Sequence, residues 1–235
     1  MGFLSKLFML DRPSDTAPQA LDDRADRASV EGMRGQPIVR AGSPPCFIAL
    51  ADCSGSMWEQ DFPPCRREAA FLAYRKMVET IRLKSPTSLA GLGLFATDFL
   101  MAAPPLPVGT HYAQLMAAVS NSDFTGGTEM AKGLLGMLFM IRQHCPPGQP
   151  VVTLMLTDGH HTGRKRDVLD AAEQLRQAGA DIWAVGIGGS PDEVDEALLK
   201  RIVSRPENYV FIGNWQGPET IVGTFQRVVG LYLMD

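Results

Sequence analysis

The stretch "FIALADCSGSMWE", Phe47 to Glu59, drives an apolar run into an acid and then sets two serines at alternate positions. Two later segments have a related make-up. "DFTGGTEM" carries Thr125 and Thr128 around a glycine pair, and "VVTLMLTDG" ends on Asp158 and Gly159. Together the segments offer two carboxylates, Asp52 and Asp158, and the hydroxyls of Ser54, Ser56, Thr125 and Thr128. Hard oxygen donors of this kind suit magnesium or manganese far better than zinc or copper, with calcium a further alternative. Two carboxylates balance the charge of a divalent ion. Gly55, Gly126 and Gly127 let the loop backbones approach closely. If hydroxyls take the inner positions and the carboxylates act through water, the ion keeps a face open to a carboxylate from another molecule.

Each residue also has a plainer reading. Ser54, Ser56 or Thr128 could cap a helix, and Asp158-Gly159 is a common turn pair. Caps do not account for all of them falling at three strand ends in this order. A hydrolase would need an activated nucleophile. Cys53, His160 and His161 are nearby in sequence, but G-x-S-x-G is absent around Ser54 and Ser56. The histidines sit in a polar loop and read as solvated rim residues, suited to gripping an acidic partner. Trp58 and Phe62 are expected near the same face, either as an aromatic anchor or as packing residues. "GLGLFA", Gly91 to Ala96, lies inside a strand pattern, and "GIGGSP", Gly186 to Pro191, ends on proline, so neither is a nucleotide loop.

The elements that must position these groups alternate. Strands are expected at "CFIALA", "LAGLGLFAT", "PVVTLMLTD", "DIWAVGIGG" and "NYVFIG". Helices are expected over Arg66–Leu83, His111–Val119, Glu129–Arg142, Arg166–Ala178, Glu193–Val203 and Glu219–Tyr232. The proline-containing segment up to about Val108 is irregular, with room for a short edge strand. This pattern gives an α/β fold: a doubly wound, mostly parallel central sheet with helices on both faces. Ligands of such sheets bind outside the carboxyl ends of the strands, where strand order reverses. The three oxygen-rich segments meet there if the first and fourth strands are neighbours.

With "DCSGS" as D-x-S-x-S after an apolar strand, "GGT" before a helix, "LMLTDG" ending a strand, and "GADIWAVGIGG", the chain resembles a von Willebrand factor type A (vWA) domain. The resemblance includes a complete metal-ion-dependent adhesion site and runs from about Pro45 to Leu233. It implies that Ser54 and Ser56 bind the metal directly and that Thr128 joins them when a ligand is engaged. Asp52 and Asp158 would act mainly through bound water. Thr125 precedes the glycine pair and is the poorer threonine candidate. The resemblance further implies a magnesium-dependent protein-interaction module that takes a partner's Asp or Glu at the metal. A rearrangement of the Thr128 loop and the last helix would accompany engagement. Within the family, "LADCSGSM … TGGTEM … LMLTDG" looks most like bacterial stand-alone domains of the tellurite-resistance type (TerY-like). Similar proteins accompany kinases, phosphatases or AAA ATPases in stress and defence systems. Two alternatives stand beside this reading: a metal-assisted hydrolase using the same oxygen cluster, and a structural subunit braced by its metal.

The bulk numbers agree with one folded domain, residues 46–235, after a linker-like tail, residues 1–45. The chain has 235 residues, 45% hydrophobic and 20% charged. A formal net charge of −4 argues against nucleic-acid binding. The four cysteines, Cys46, Cys53, Cys65 and Cys145, form no C-x-x-C pair and read as reduced thiols of a cytoplasmic protein. "MGFLSKLFML" is too short to span a membrane and has Lys6 where a myristoylation signal needs Ser or Thr. Two options remain for this segment: an amphipathic stretch that docks on a partner or membrane surface, and a disordered tail.

Overall fold

The computed structural model describes residues 43–119 and 124–233. Apart from residues 43–45, the tail expected over 1–45 lies outside the described residues. Six strands are described: β1 (Cys46–Asp52), β2 (Leu89–Phe95), β3 (Phe99–Pro107), β4 (Val151–Thr157), β5 (Ala180–Gly188) and β6 (Tyr209–Gly213). They form one sheet in the order β3-β2-β1-β4-β5-β6. Every neighbouring pair is parallel except β2 and β3. The helices are α1 (Arg66–Lys84), α2 (Val108–Ala117), α3 (Met130–His144), α4 (Lys165–Gln177), α5 (Glu196–Ile202) and α6 (Pro218–Tyr232). The fold is the doubly wound α/β sheet that the alternating pattern predicts.

β1 and β4 are buried along their whole length, which is why both read as continuous apolar runs rather than alternating ones. One face of the sheet, with Phe47, Leu92, Leu154 and Val185, packs on α1, α2 and α6. The other, with Ile48, Leu50, Met155 and Ile182, packs on α3, α4 and α5. Each such fully buried aliphatic or aromatic side chain contributes about 1.5–3 kcal/mol of transfer free energy. The helix α3 lies close on the sheet because a Cβ at Gly136 would collide with the ring of Phe99.

Three elements differ from expectation. The segment after β2 is a full nine-residue antiparallel strand despite Pro104 and Pro105. It is the sheet edge, and its pairing with β2 is irregular between Ala90 and Gly93, where a missing amide donor costs little. Helix α2 begins at Val108 and bends at His111 (φ −118°, ψ 20°). The helix expected from Glu193 splits into a 3-10 turn, Pro191–Glu193, and α5, because Asp195 accepts the Leu198 amide as an N-cap.

Candidate functional site

β1 pairs with β4, and the sequence order of the strands reverses between them. Their register sets Ala51 opposite Leu156, so Asp52 and Thr157 come next, side by side at the carboxyl ends. The Thr157 hydroxyl donates to Asp52 Oδ2 at 2.6 Å, and the Ser54 amide donates to Asp52 Oδ1 at 2.8 Å. The Gly159 amide in turn donates to Thr157 Oγ1 at 3.0 Å. Both Asp52 oxygens thus accept hydrogen bonds, and the Ser54 side chain adds a further one to the carboxylate. Asp158 follows β4 and is buried beside Asp52. Its Oδ1 receives the His160 amide at 3.4 Å, and its Oδ2 faces Arg66 Nη1 at 3.5 Å, both long contacts. Burial first, and then the charge of Asp158, push the Asp52 carboxyl up to about 7, against the hydrogen bonds from Thr157 and Ser54.

Ser54 and Ser56 flank the start of a 3-10 turn, Gly55–Trp58, with their hydroxyl oxygens 3.2 Å apart. The loop before α3 is stitched onto them. Ser54 forms a parallel bridge with Gly126, and the Gly55 amide donates to the Gly126 carbonyl at 3.1 Å. The Gly127 amide donates to Thr97 Oγ1 at 2.8 Å, and the Glu129 amide to the Ala96 carbonyl at 2.7 Å. A side chain at Gly126 would collide with the Thr97 hydroxyl. Thr128 is buried at the end of this loop. Its amide donates to Thr162 Oγ1 at 3.3 Å, and its carbonyl accepts the Thr162 amide at 3.1 Å and lies 3.1 Å from His161 Nδ1. Its hydroxyl makes no hydrogen bond to another described residue.

Asp52, Ser54, Ser56, Thr128 and Asp158 thus sit on three segments that hydrogen bonds join at the β1/β4 switch point. Thr125 is exposed. Two rim expectations need correction. Phe62 is fully buried in the core on the α1 face and cannot be an anchor. His161 is not a solvated rim residue but is half-buried against Thr128, while His160 is exposed. Trp58 is 47% exposed, with the Arg67 guanidinium 3.5 Å over its ring.

Sequence reasoning overlooked Thr157, Thr97 and Arg66. The guanidinium of Arg66 grips Asp61 with two bonds, at 2.8 and 2.7 Å, and also reaches Glu59 at 2.8 Å. A usable signal was its place in the first turn of α1, where a cation opposes the helix dipole and needs acids to hold it.

Residues 48–223 match the von Willebrand factor type A domain. The chain belongs to that family. The vWA domains are a family of protein-interaction modules. The collagen alpha-6(VI) chain of Homo sapiens is 27% identical over 176 residues, 72% of this chain but 7% of that protein. The von Willebrand factor type A structure from Catenulispora acidiphila superposes with a TM-score of 0.67 at 18% identity, covering 81% of this chain and 43% of that one. The pilus adhesin SpaC from Lactobacillus rhamnosus GG gives a TM-score of 0.70 at 16% identity, covering 83% and 31%. At such identities the two structures show a shared fold, and the chain spans only part of each of these proteins.

The donor chemistry fits a hard divalent cation. Two buried carboxylates lie close enough for their charges to interact, with the Ser54 hydroxyl on Asp52 and the Ser56 hydroxyl 3.2 Å from that of Ser54. Among the described residues, no group of three or more His, Cys, Asp and Glu is arranged to hold a metal. A cation here would therefore rest on the hydroxyl-rich set, as magnesium accepts and zinc does not. No helix among the described residues is long and apolar enough to cross a membrane.

Proposed function

We propose that this vWA domain is a non-enzymatic, magnesium-dependent interaction module that binds an Asp or Glu side chain of a protein partner. The observation that carries the reading is the burial of Asp52 and Asp158 together at the β1/β4 switch point, beside Ser54, Ser56 and the Thr128 loop. Ser54 and Ser56 would hold the ion, with manganese or calcium as possible substitutes, and Thr128 would join them on engagement. Asp52 and Asp158 would orient its waters. When bound, the ion supplies a hard, doubly charged acceptor for a carboxylate oxygen. Trp58, in the turn that carries Ser56, and His160, two residues after Asp158, are exposed and suit contact with an acidic partner. Against a nucleophilic enzyme, burial and the Asp52 charge push the Cys53 thiol up to about 12, far from an activated thiolate.

The motif style resembles that of bacterial stand-alone proteins of the tellurite-resistance type, and this resemblance supports a role in a stress or defence system with a kinase, phosphatase or AAA ATPase partner. The reading includes a cytoplasmic location, with which the four free thiols are consistent. The test is capture of partners from extract with magnesium, with chelator, and with Asp52→Ala. Loss of one protein under both perturbations supports the proposal. Partners retained throughout, with metal-dependent turnover of a phosphoester or peptide, would instead mean a hydrolase. Binding that persists in a destabilised Asp52→Ala protein would mean a metal that only braces the fold.

A further inference from the structure

Cys46 and Cys145 are 99 positions apart in sequence, yet their sulfur atoms lie 3.0 Å apart. Cys46 opens β1 and is fully buried. Cys145 is the C-cap of α3 and is partly exposed. The pair sits at the amino end of β1, about 20 Å along the strand from Asp52 at 3.3 Å per residue, so the candidate cation site does not use it. A disulfide bond is about 2.05 Å long, so closing the pair needs a sulfur movement of about 1 Å. The other two cysteines have no such neighbour: Cys53 and Cys65 are buried, and the chain places neither against another sulfur among the described residues.

We infer that Cys46 and Cys145 form a reversible oxidation site, closing to an intramolecular disulfide when the protein meets a peroxide. The division of labour follows from position. Cys145 is partly exposed, and its hydrogen-bonding contact with Cys46 holds its thiol below the usual range. The hydrogen-bonding contact with Cys145, and then burial, hold Cys46 well above it. The Cys145 thiolate attacks hydrogen peroxide, breaking the O–O bond to give a sulfenic acid and hydroxide. The Cys46 sulfur then attacks the sulfenic sulfur, the S–O bond breaks, and water leaves with the Cys46 proton. The net change is two thiols and one peroxide to one disulfide and two waters. The bond ties the C-terminal end of α3, the helix that starts just after Thr128, to the first residue of the central strand.

The test uses the full chain, reduced, desalted and treated with hydrogen peroxide, then alkylated and digested without reductant. The expected result is loss of the mass of two hydrogens, a crosslinked pair of peptides containing Cys46 and Cys145, and recovery of both thiols on reduction. Cys53 and Cys65 should stay alkylatable only after unfolding. In Cys46→Ser, Cys145 should accumulate as sulfenic and sulfinic acid, because the resolving sulfur is gone. In Cys145→Ser, oxidation at Cys46 should slow by at least about tenfold, following its burial. Four free thiols after peroxide, a sulfinic Cys145 in the unsubstituted chain, or a crosslink only between molecules would overturn the inference. The readout on the unsubstituted chain requires no variant to fold. It also requires no cation, so its outcome is separate from that of the proposed adhesion role.

Discussion

Asp52 holds two opposing demands at once. Full burial, and then the charge of the neighbouring Asp158, push its carboxyl from the usual 3.8 to about 7. The folded protein therefore keeps a proton that the unfolded chain releases between those values. The stability this contributes is complete below about pH 4 and is lost as pH rises through 7. The change corresponds to at most about 4 kcal/mol. In chelator, urea denaturation should show the protein less stable at pH 8 than at pH 5. Asp52→Asn removes the charge and keeps one of the two acceptor oxygens that Ser54 and Thr157 use, so most of that pH dependence should vanish even where overall stability falls. An equal pH dependence in both proteins would rule Asp52 out as its source. This residue was legible in sequence because an acid ending an apolar strand stands out against its surroundings. Thr157 was not: a threonine beside Asp158 looks like ordinary strand residue, and only the β1/β4 register turns it into the donor to Asp52.

The loop before α3 and the entry to α1 are the two elements that hold the site in shape. Gly126 is close enough to Thr97 that a methyl group there meets the hydroxyl, and its φ of 159° lies at the edge of the range that favours glycine. Gly126→Ala should cost about 1–3 kcal/mol, and adding Thr97→Ala should recover part of that loss in thermal unfolding. If the double variant is no better than the single, the collision is not the cause. Arg66 binds Asp61, Glu59 and the buried Asp158 from the first turn of α1. Arg66→Met should cost about 3 kcal/mol, chiefly by stranding buried acid, since the exposed Glu59 contact contributes little. Calorimetry showing a loss under 1 kcal/mol would contradict that account. The strands and most helices were legible because their periods and lengths are dictated by burial. The edge strand β3 was legible only as an option, because prolines that would break an inner strand are tolerated where one side has no partner. The bridge from Ser54 to Gly126 was invisible, since it depends on how two loops fall after the sheet has formed.

Across the whole molecule, the oxygen donors belong to segments separated by most of the domain, and only the folded sheet brings them together. A cation that needs all three segments binds the native state and not the unfolded chain, so its binding free energy adds to stability. The two ends of this fold are secured differently. At the end away from the donors, α6 is held through Tyr232, whose hydroxyl accepts from Trp183 Nε1 at 3.0 Å and bonds to Asp181. At the donor end, two acids crowd together, with Arg66 reaching Asp158 at 3.5 Å. A bound cation would relieve that crowding and stabilise the fold. At magnesium one hundred times its dissociation constant the gain is about 2.7 kcal/mol, an increase in Tm of roughly 5–10 °C for a domain of this size. A titration of Tm against magnesium should rise and saturate, fall back on chelation, and be flat in Asp52→Ala and Asp158→Ala. Ser56→Ala, which removes one hydroxyl and leaves the buried acids, should shift the midpoint to higher magnesium without flattening the curve. A Tm indifferent to magnesium in the unsubstituted protein would mean that these oxygens, however close, do not form a cation site.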